Sequence, residues 1–154
     1  HAVSFWDAYR VPLRHAHTDS VDVFFAVFGH LPSWMKHTLI ARNHLARWAG
    51  LKVPEAQDIM NPQRKPHYSL GDKIGPWPIF SRQAHELVAG EDNLHQDFRL
   101  SILLEEQGGQ RHAVISTICQ THNAWGRCYL AGVVPFHRRA VPWLMERAYS
   151  AGRL

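Results

Sequence analysis

The chain has 154 residues, 45% of them hydrophobic and 19% charged, the profile of one globular domain that can bury roughly 70% of the surface its unfolded form would expose. No apolar run approaches the ~20 residues of a membrane-spanning helix, so the sequence predicts no membrane insertion. The net charge of +4 would tolerate an anionic partner, but Lys and Arg are scattered rather than gathered into a stripe, which argues against nucleic acid.

The chain opens on Ala2-Val3-Ser4-Phe5-Trp6, a weak strand candidate. Thr18-Asp19-Ser20 reads as a helix cap, and the apolar run from Val21 to Phe28, broken by Gly29 and Pro32, fits a short buried helix. Ser33 is expected to cap a second helix that runs to about Ala49 and stops at Gly50. At a helical period, Leu31, Trp34, Met35, Thr38, Leu39, Leu45, Ala46 and Ala49 fall within an arc of about 140°. Arg42 lies near the middle of that arc. A guanidinium there needs a partner, because a buried unpaired charge costs several kcal/mol. Asp97 or Glu86 could supply an internal ion pair; the sharper alternative is an anchor for a ligand oxygen.

Pro54, Pro62, Pro66 and Pro76 punctuate residues 51–77. With no periodic apolar face, this stretch reads as a long surface connection, mobile and covering a cavity entrance. Strand signals follow at Ile79 to Val88, ended by Gly90-Glu91-Asp92-Asn93, then at Gln96 to Glu106, His112 to His122 and Arg127 to Val133. The second of these alternates cleanly, Phe98, Leu100, Ile102 and Leu104 on one face and Asp97, Arg99, Ser101 and Glu105 on the other, as in half-buried antiparallel sheet. If Asn123-Ala124 is a hairpin loop, Cys119 and Cys128 sit equally far from it and face each other. As two small buried hydrophobes they fit a reducing cytoplasm, the expected location. No signal peptide is visible, and an opening on His1 would suit a processed end or a leftover tag residue. From Pro135 to about Ala151, Val141, Leu144, Met145 and Ala148 form a helical stripe that includes His137, and Pro142 suggests a kink or a later start. The expected class is therefore α+β, a curved antiparallel sheet around one long C-terminal helix with two helices after the first strand, the helix-grip arrangement, in one domain.

Leu31-Pro32-Ser33-Trp34 with Arg42-Asn43, Asp97-Phe98-Arg99, His122-Asn123 with Gly126-Arg127 and Tyr129, and Pro135-Phe136-His137-Arg138 together resemble the signature of an uncharacterised bacterial family placed in the START-like, or SRPBCC, superfamily. Relatives of that family also occur as an extension on NAD(P)-binding epimerase-like proteins of the NmrA type. The resemblance covers residues 20 to 150 or so and implies the helix-grip fold with a cavity for a small, largely apolar ligand. It implies no reaction. The chain has no GxGxxG, so nothing about NAD carries over.

Twelve histidines invite a metal reading, yet there is no HExxH and no Cys/His set with zinc spacing. His30, His37 and His44 recur along one helix flank, as a solvated edge would. A Ser-His-Asp triad has no GxSxG elbow, and Cys119 has no base on its strand face. No metal and no cofactor is expected. Arg42, Asp97, His122, Tyr129 and His137 remain as polar residues on elements expected to line the cavity. Two functions fit them. In the first, the domain holds a small hydrophobic molecule that carries a polar or acidic group. In the second, it is a cyclase, isomerase or lyase with His122 or His137 as acid or base and Arg42 polarising an oxygen.

Overall fold

A computed structural model describes residues 3–48 and 55–154. The expected helix stop at Ala49-Gly50, residue Ala2 and the start of the proline-rich connection, 51–54, lie outside the described residues. The order is β1 (Phe5–Pro12), α1 (Ser20–Phe28), α2 (Ser33–Trp48), α3 (Ala56–Met60), β2 (Lys73–Ile74), β3 (Trp77–Arg82), β4 (Glu86–Asp92), β5 (Gln96–Gln107), β6 (Gln110–Thr121) and α4 (Ala124–Ser150). The strands form one curved, unclosed antiparallel sheet in the order β1-β6-β5-β4-β3-β2, and the long C-terminal helix makes the whole a helix-grip arrangement.

Alternation assigns the two faces of the sheet. In β5, Leu100, Ile102 and Leu104 are buried, and their partners across the ladder, Thr117, Ile115 and Ala113, are buried too. These residues point toward the helices and pack with Val23, Phe24 and Val27 of α1 and Val141, Leu144, Met145 and Ala148 of α4. A second, smaller cluster of Phe5, Cys119 and Leu130, with Phe98 and Val134 against it, lies under the first half of α4. Helix α1 starts where the sequence places its cap. The Asp19 side chain accepts from the Asp22 N–H and the Asp22 carboxylate accepts from the Asp19 N–H, a reciprocal capping box.

Three expectations change. Residues 127–133 are not a strand: α4 begins at Ala124, with Asn123 as its N-cap accepting from the Gly126 N–H. β-Branched and aromatic residues such as Tyr129, Val133 and Val134 mimic a strand locally. Leu130, Val134, His137 and Val141, however, keep one helical stripe running through Pro135 and Pro142. Each proline forfeits one helical hydrogen bond, and packing of the stripe offsets that loss. Cys119 and Cys128 therefore do not face each other across a hairpin; Cys119 is buried in β6, Cys128 is exposed on α4, and both are free.

The strand expected over 79–88 is a hairpin of β3 and β4, and Gly90 lies inside β4 rather than in a turn. A Cβ at Gly90 would stand 2.1 Å from the Phe98 carbonyl oxygen, so the glycine marks close backbone approach, not chain reversal. Finally, residues 55–77 are anchored. Ile59, Tyr68 and Ile74 are buried, Arg82 donates to the Tyr68 carbonyl at 2.7 Å, and the Lys65 N–H donates to the Tyr68 hydroxyl at 2.9 Å. Prolines concealed this packing because its apolar contacts are spaced too widely to show a period.

Candidate functional site

Cross-strand register places Glu91, Phe98, Cys119 and Phe5 in one row on the helix-facing side of the sheet, and Ala89, Leu100, Thr117 and Asp7 in the next. The first half of α4 lies over these rows. Leu130 packs on Phe5 and Cys119 with Val134 beside them, and His137, further along the same stripe, reaches Asp7. Asp7, Tyr9, Glu91 and His137 are partly buried here.

Asp7 is the centre of one set. Its Oδ1 is 3.3 Å from His137 Nε2, and its Oδ2 accepts from the Tyr9 hydroxyl at 3.1 Å. The side chains of His137 and Asp7 are 22% and 11% exposed, so the contact is largely shielded from water. The Phe5 ring meets the imidazole edge-on at 5.7 Å. Burial, and then the hydrogen bond and charge of Asp7, push the Tyr9 hydroxyl above its ordinary range, with Arg138 pulling weakly the other way.

Tyr129 and Arg42 make a second set. The Arg42 guanidinium carbon stands 5.7 Å from the centre of the Tyr129 ring, within cation–π range, and its Nε donates to Asn43 Oδ1 at 3.2 Å. Burial pushes the Tyr129 hydroxyl up, Arg42 opposes that, and Cys119 and Glu91 add to it, which locates all four in one electrostatic neighbourhood. Arg42 forms no ion pair among the described residues. The carboxylates proposed as its partners are used elsewhere: Glu86 accepts from the Ser101 hydroxyl and Asp97 pairs with His122. Gln96, which also points toward the helices, has a buried Oε1 without a hydrogen-bond partner.

Asp97 and His122 do not join these groups. Asp97 pairs in register with Gln120, on the face opposite Phe98 and Cys119. His122 Nε2 lies 3.1 Å from Asp97 Oδ1, with both side chains more than a third exposed. The strict alternation of β5 already pointed Asp97 away from the apolar stripe. Of the five candidates, the structure brings Arg42 to Tyr129, sets His137 beside Asp7, and leaves Asp97 and His122 on the outer surface.

Sequence reasoning passed over Asp7, Tyr9, Glu91 and Gln96. The period of two running from the buried Phe5 through Asp7 and Tyr9 to the buried Val11 is the signal for them, but the strand candidate Ala2 to Trp6 ends before Asp7 and leaves the register open. Asn123 has a positional role. Besides capping α4, its Nδ2 lies 2.8 Å from His95 Nδ1, and the His122 N–H donates to the His95 carbonyl at 2.9 Å. Gly126 completes this junction, since a Cβ there would stand 2.1 Å from the same carbonyl oxygen. Among the described residues no three His, Cys, Asp or Glu side chains are grouped to hold a metal ion, and no helix is long and apolar enough to cross a membrane.

The fold and this interior set of polar groups define an α+β helix-grip domain with ionisable side chains held between the sheet and its gripped helix. A family model matches residues 1–143, and the chain belongs to that family, described as a protein of unknown function, DUF2867. No curated protein matches the chain.

Proposed function

We propose that the domain binds a small, largely apolar molecule through one acidic or carbonyl group, between the sheet and the first half of α4, as a member of the START-like superfamily. The observation that carries this reading is Arg42, a half-buried guanidinium beside the Tyr129 ring with no acidic partner among the described residues. A charge so placed gains most from an oxygen that enters the same space, since a charge-assisted hydrogen bond is about twice as strong as a neutral one. Phe98, Leu130 and Val134 offer the apolar wall, and the buried Gln96 Oε1 could accept a donor. The free thiols of Cys119 and Cys128 favour a cytoplasmic setting.

The test is Arg42→Met, followed by a thermal melt and a titration with decanoate and decanamide. The expected result is a melting temperature unchanged or raised, and decanoate affinity lower by about 1.5 kcal/mol or more, the scale of a lost charge-assisted hydrogen bond. A large loss of stability with unaltered decanoate affinity would sink the anchor and the binding reading with it. Native mass spectrometry of freshly purified protein adds an independent check through any co-purified ligand.

The contact between Asp7 and His137 supports a second reading, a cyclase, isomerase or lyase in which His137 moves a proton. Asp7 holds the imidazole through Nε2 and leaves Nδ1 for a ligand atom. His122, engaged with Asp97 on the outer face, drops out of this alternative. His137→Gln would abolish turnover while sparing decanoate affinity if the second reading holds, and would leave no activity to lose if the first does.

A further inference from the structure

At the opposite end of β1 from Phe5 lies an open cleft of about 690 Å3. Its walls carry the guanidiniums of Arg14, Arg64 and Arg153 and three imidazoles, His15, His17 and His30, against a single carboxylate, Asp22. That carboxylate is already engaged, by Arg64 through one oxygen and by the Asp19 N–H through the other. Arg14 lies over the Tyr149 ring at 4.2 Å, and Arg153 uses only its Nε, on the Ala26 carbonyl at 3.1 Å. Among the described residues, neither Arg14 nor Arg153 forms an ion pair. Arg14 and Arg153 thus line one concavity with no ion-pair partner of their own among the described residues.

The walls are held in place independently of any ligand. Arg111 donates to the carbonyls of Ala16 and Thr18, and a His15 ring nitrogen sits 3.1 Å from the Gly152 carbonyl oxygen. These contacts fix the 13–18 connection against the end of α4, so the cationic groups cannot simply drift apart. The local field is correspondingly positive. Burial, then Arg153, Arg147 and Lys36, hold the His30 imidazole below its usual range, and burial with Arg147 does the same to Arg153.

We propose that this cleft binds the phosphate group of a small phosphorylated molecule. A guanidinium meets two phosphate oxygens in a bidentate fork, and a phosphate dianion offers two such groups three terminal oxygens and two negative charges, one more of each than a carboxylate. The space is far larger than a phosphate needs and falls in the range of small-molecule sites, roughly 300–1,000 Å3. Phe25 and Ala26 on its wall supply apolar surface for the organic part. This site is separate from the one around Arg42, and neither depends on the other.

Calorimetric titration of the full chain at about 0.15 M ionic strength, where the Debye length is about 8 Å, tests it, with phenyl phosphate, inorganic phosphate and benzoate as probes. Phenyl phosphate is expected to bind, inorganic phosphate more weakly and benzoate weakest. Arg14→Glu should weaken phenyl phosphate by about tenfold or more, the scale of one lost bidentate charged contact. Arg139→Glu, the same charge change at an exposed position of α4, should leave it within about twofold, because screening removes distant surface charge. Circular dichroism checks that both variants fold, and Arg14→Gln replaces Arg14→Glu if the latter does not. No binding of phenyl phosphate to the unaltered chain overturns the proposal. So does equal weakening by Arg14→Glu and Arg139→Glu, which would mean net charge alone, or benzoate binding as tightly as phenyl phosphate, which would mean a carboxylate site.

Discussion

Cys119 and Cys128 differ in environment although they are close in sequence. Cys119 sits between Phe98 and Phe5 on the inner face, where burial, helped by the Asp7 carboxylate, pushes its thiol up to about 11. Since only the thiolate attacks an alkylating agent, a thiol with that pKa is ionised in roughly one molecule in a thousand at pH 8. Iodoacetamide at pH 8 should therefore modify Cys128 alone in the folded protein, and Cys119 only after urea is added; mass spectrometry counts the adducts. Two adducts formed at equal rates without urea would show that α4 does not cover Cys119. The same residue-level contrast runs through the candidate site. Arg42 was identifiable from sequence because a charge on an apolar helical stripe is anomalous at any register. Asp7 was not, because a carboxylate in a strand is unremarkable until the ladder shows it facing inward at Thr117.

At the scale of elements, α1 is the segment most legible in the chain. Its capping box is local in sequence, so Asp19 and Asp22 announce the helix before any tertiary contact exists. Burial works to raise the Asp22 carboxyl, but the Asp19 N–H and Arg64 outweigh it and hold the group below the usual carboxylate range. With the folded pKa depressed, the unfolded chain binds the proton more readily, so the stabilisation is present at neutral pH and is lost as pH falls below about 4. Asp22→Asn should thus cost about 0.5–1 kcal/mol at pH 7, discounted for the exposure of its partner Arg64, and less at pH 3, where more of the carboxylate is protonated. Urea melts at the two pH values measure the difference. A gap of equal size at both would remove the ionised carboxylate as its cause. The start of α4 is less legible, since the Asn123 cap on the Gly126 N–H is local but the Asn123 Nδ2 is also held by His95 from the β4–β5 turn, and that second contact is invisible along the chain.

For the molecule as a whole, the proline-rich segment is what the sequence misrepresented most. Tyr68 is buried, its hydroxyl accepts from the Lys65 N–H, and its carbonyl accepts from Arg82 of β3. Helix α1 and this segment thus close the same core from two sides, with Ile74 and Phe24 both fully buried in it. Tyr68→Ala should lower unfolding free energy by about 3–5 kcal/mol, the cost of emptying a large buried aromatic site. Chemical denaturation decides the matter, and a loss below about 1 kcal/mol would return the segment to the role of a loose cover.

Patterning along the chain was sufficient for the α+β class, for α1 and the body of α2, for the alternation of β5 and for the apolar stripe of the last helix, because each of these depends on residues a few positions apart. Pairing of β1 with β6, the row that joins Glu91 to Phe5, the approach of Tyr129 to Arg42 and the placement of His122 beside Asp97 on the outer face were decided by tertiary structure. The reason is register. Side chains in a strand change face at every residue, so which polar group enters the interior depends on how strands a hundred positions apart are aligned, and one chain read alone carries no mark of that alignment.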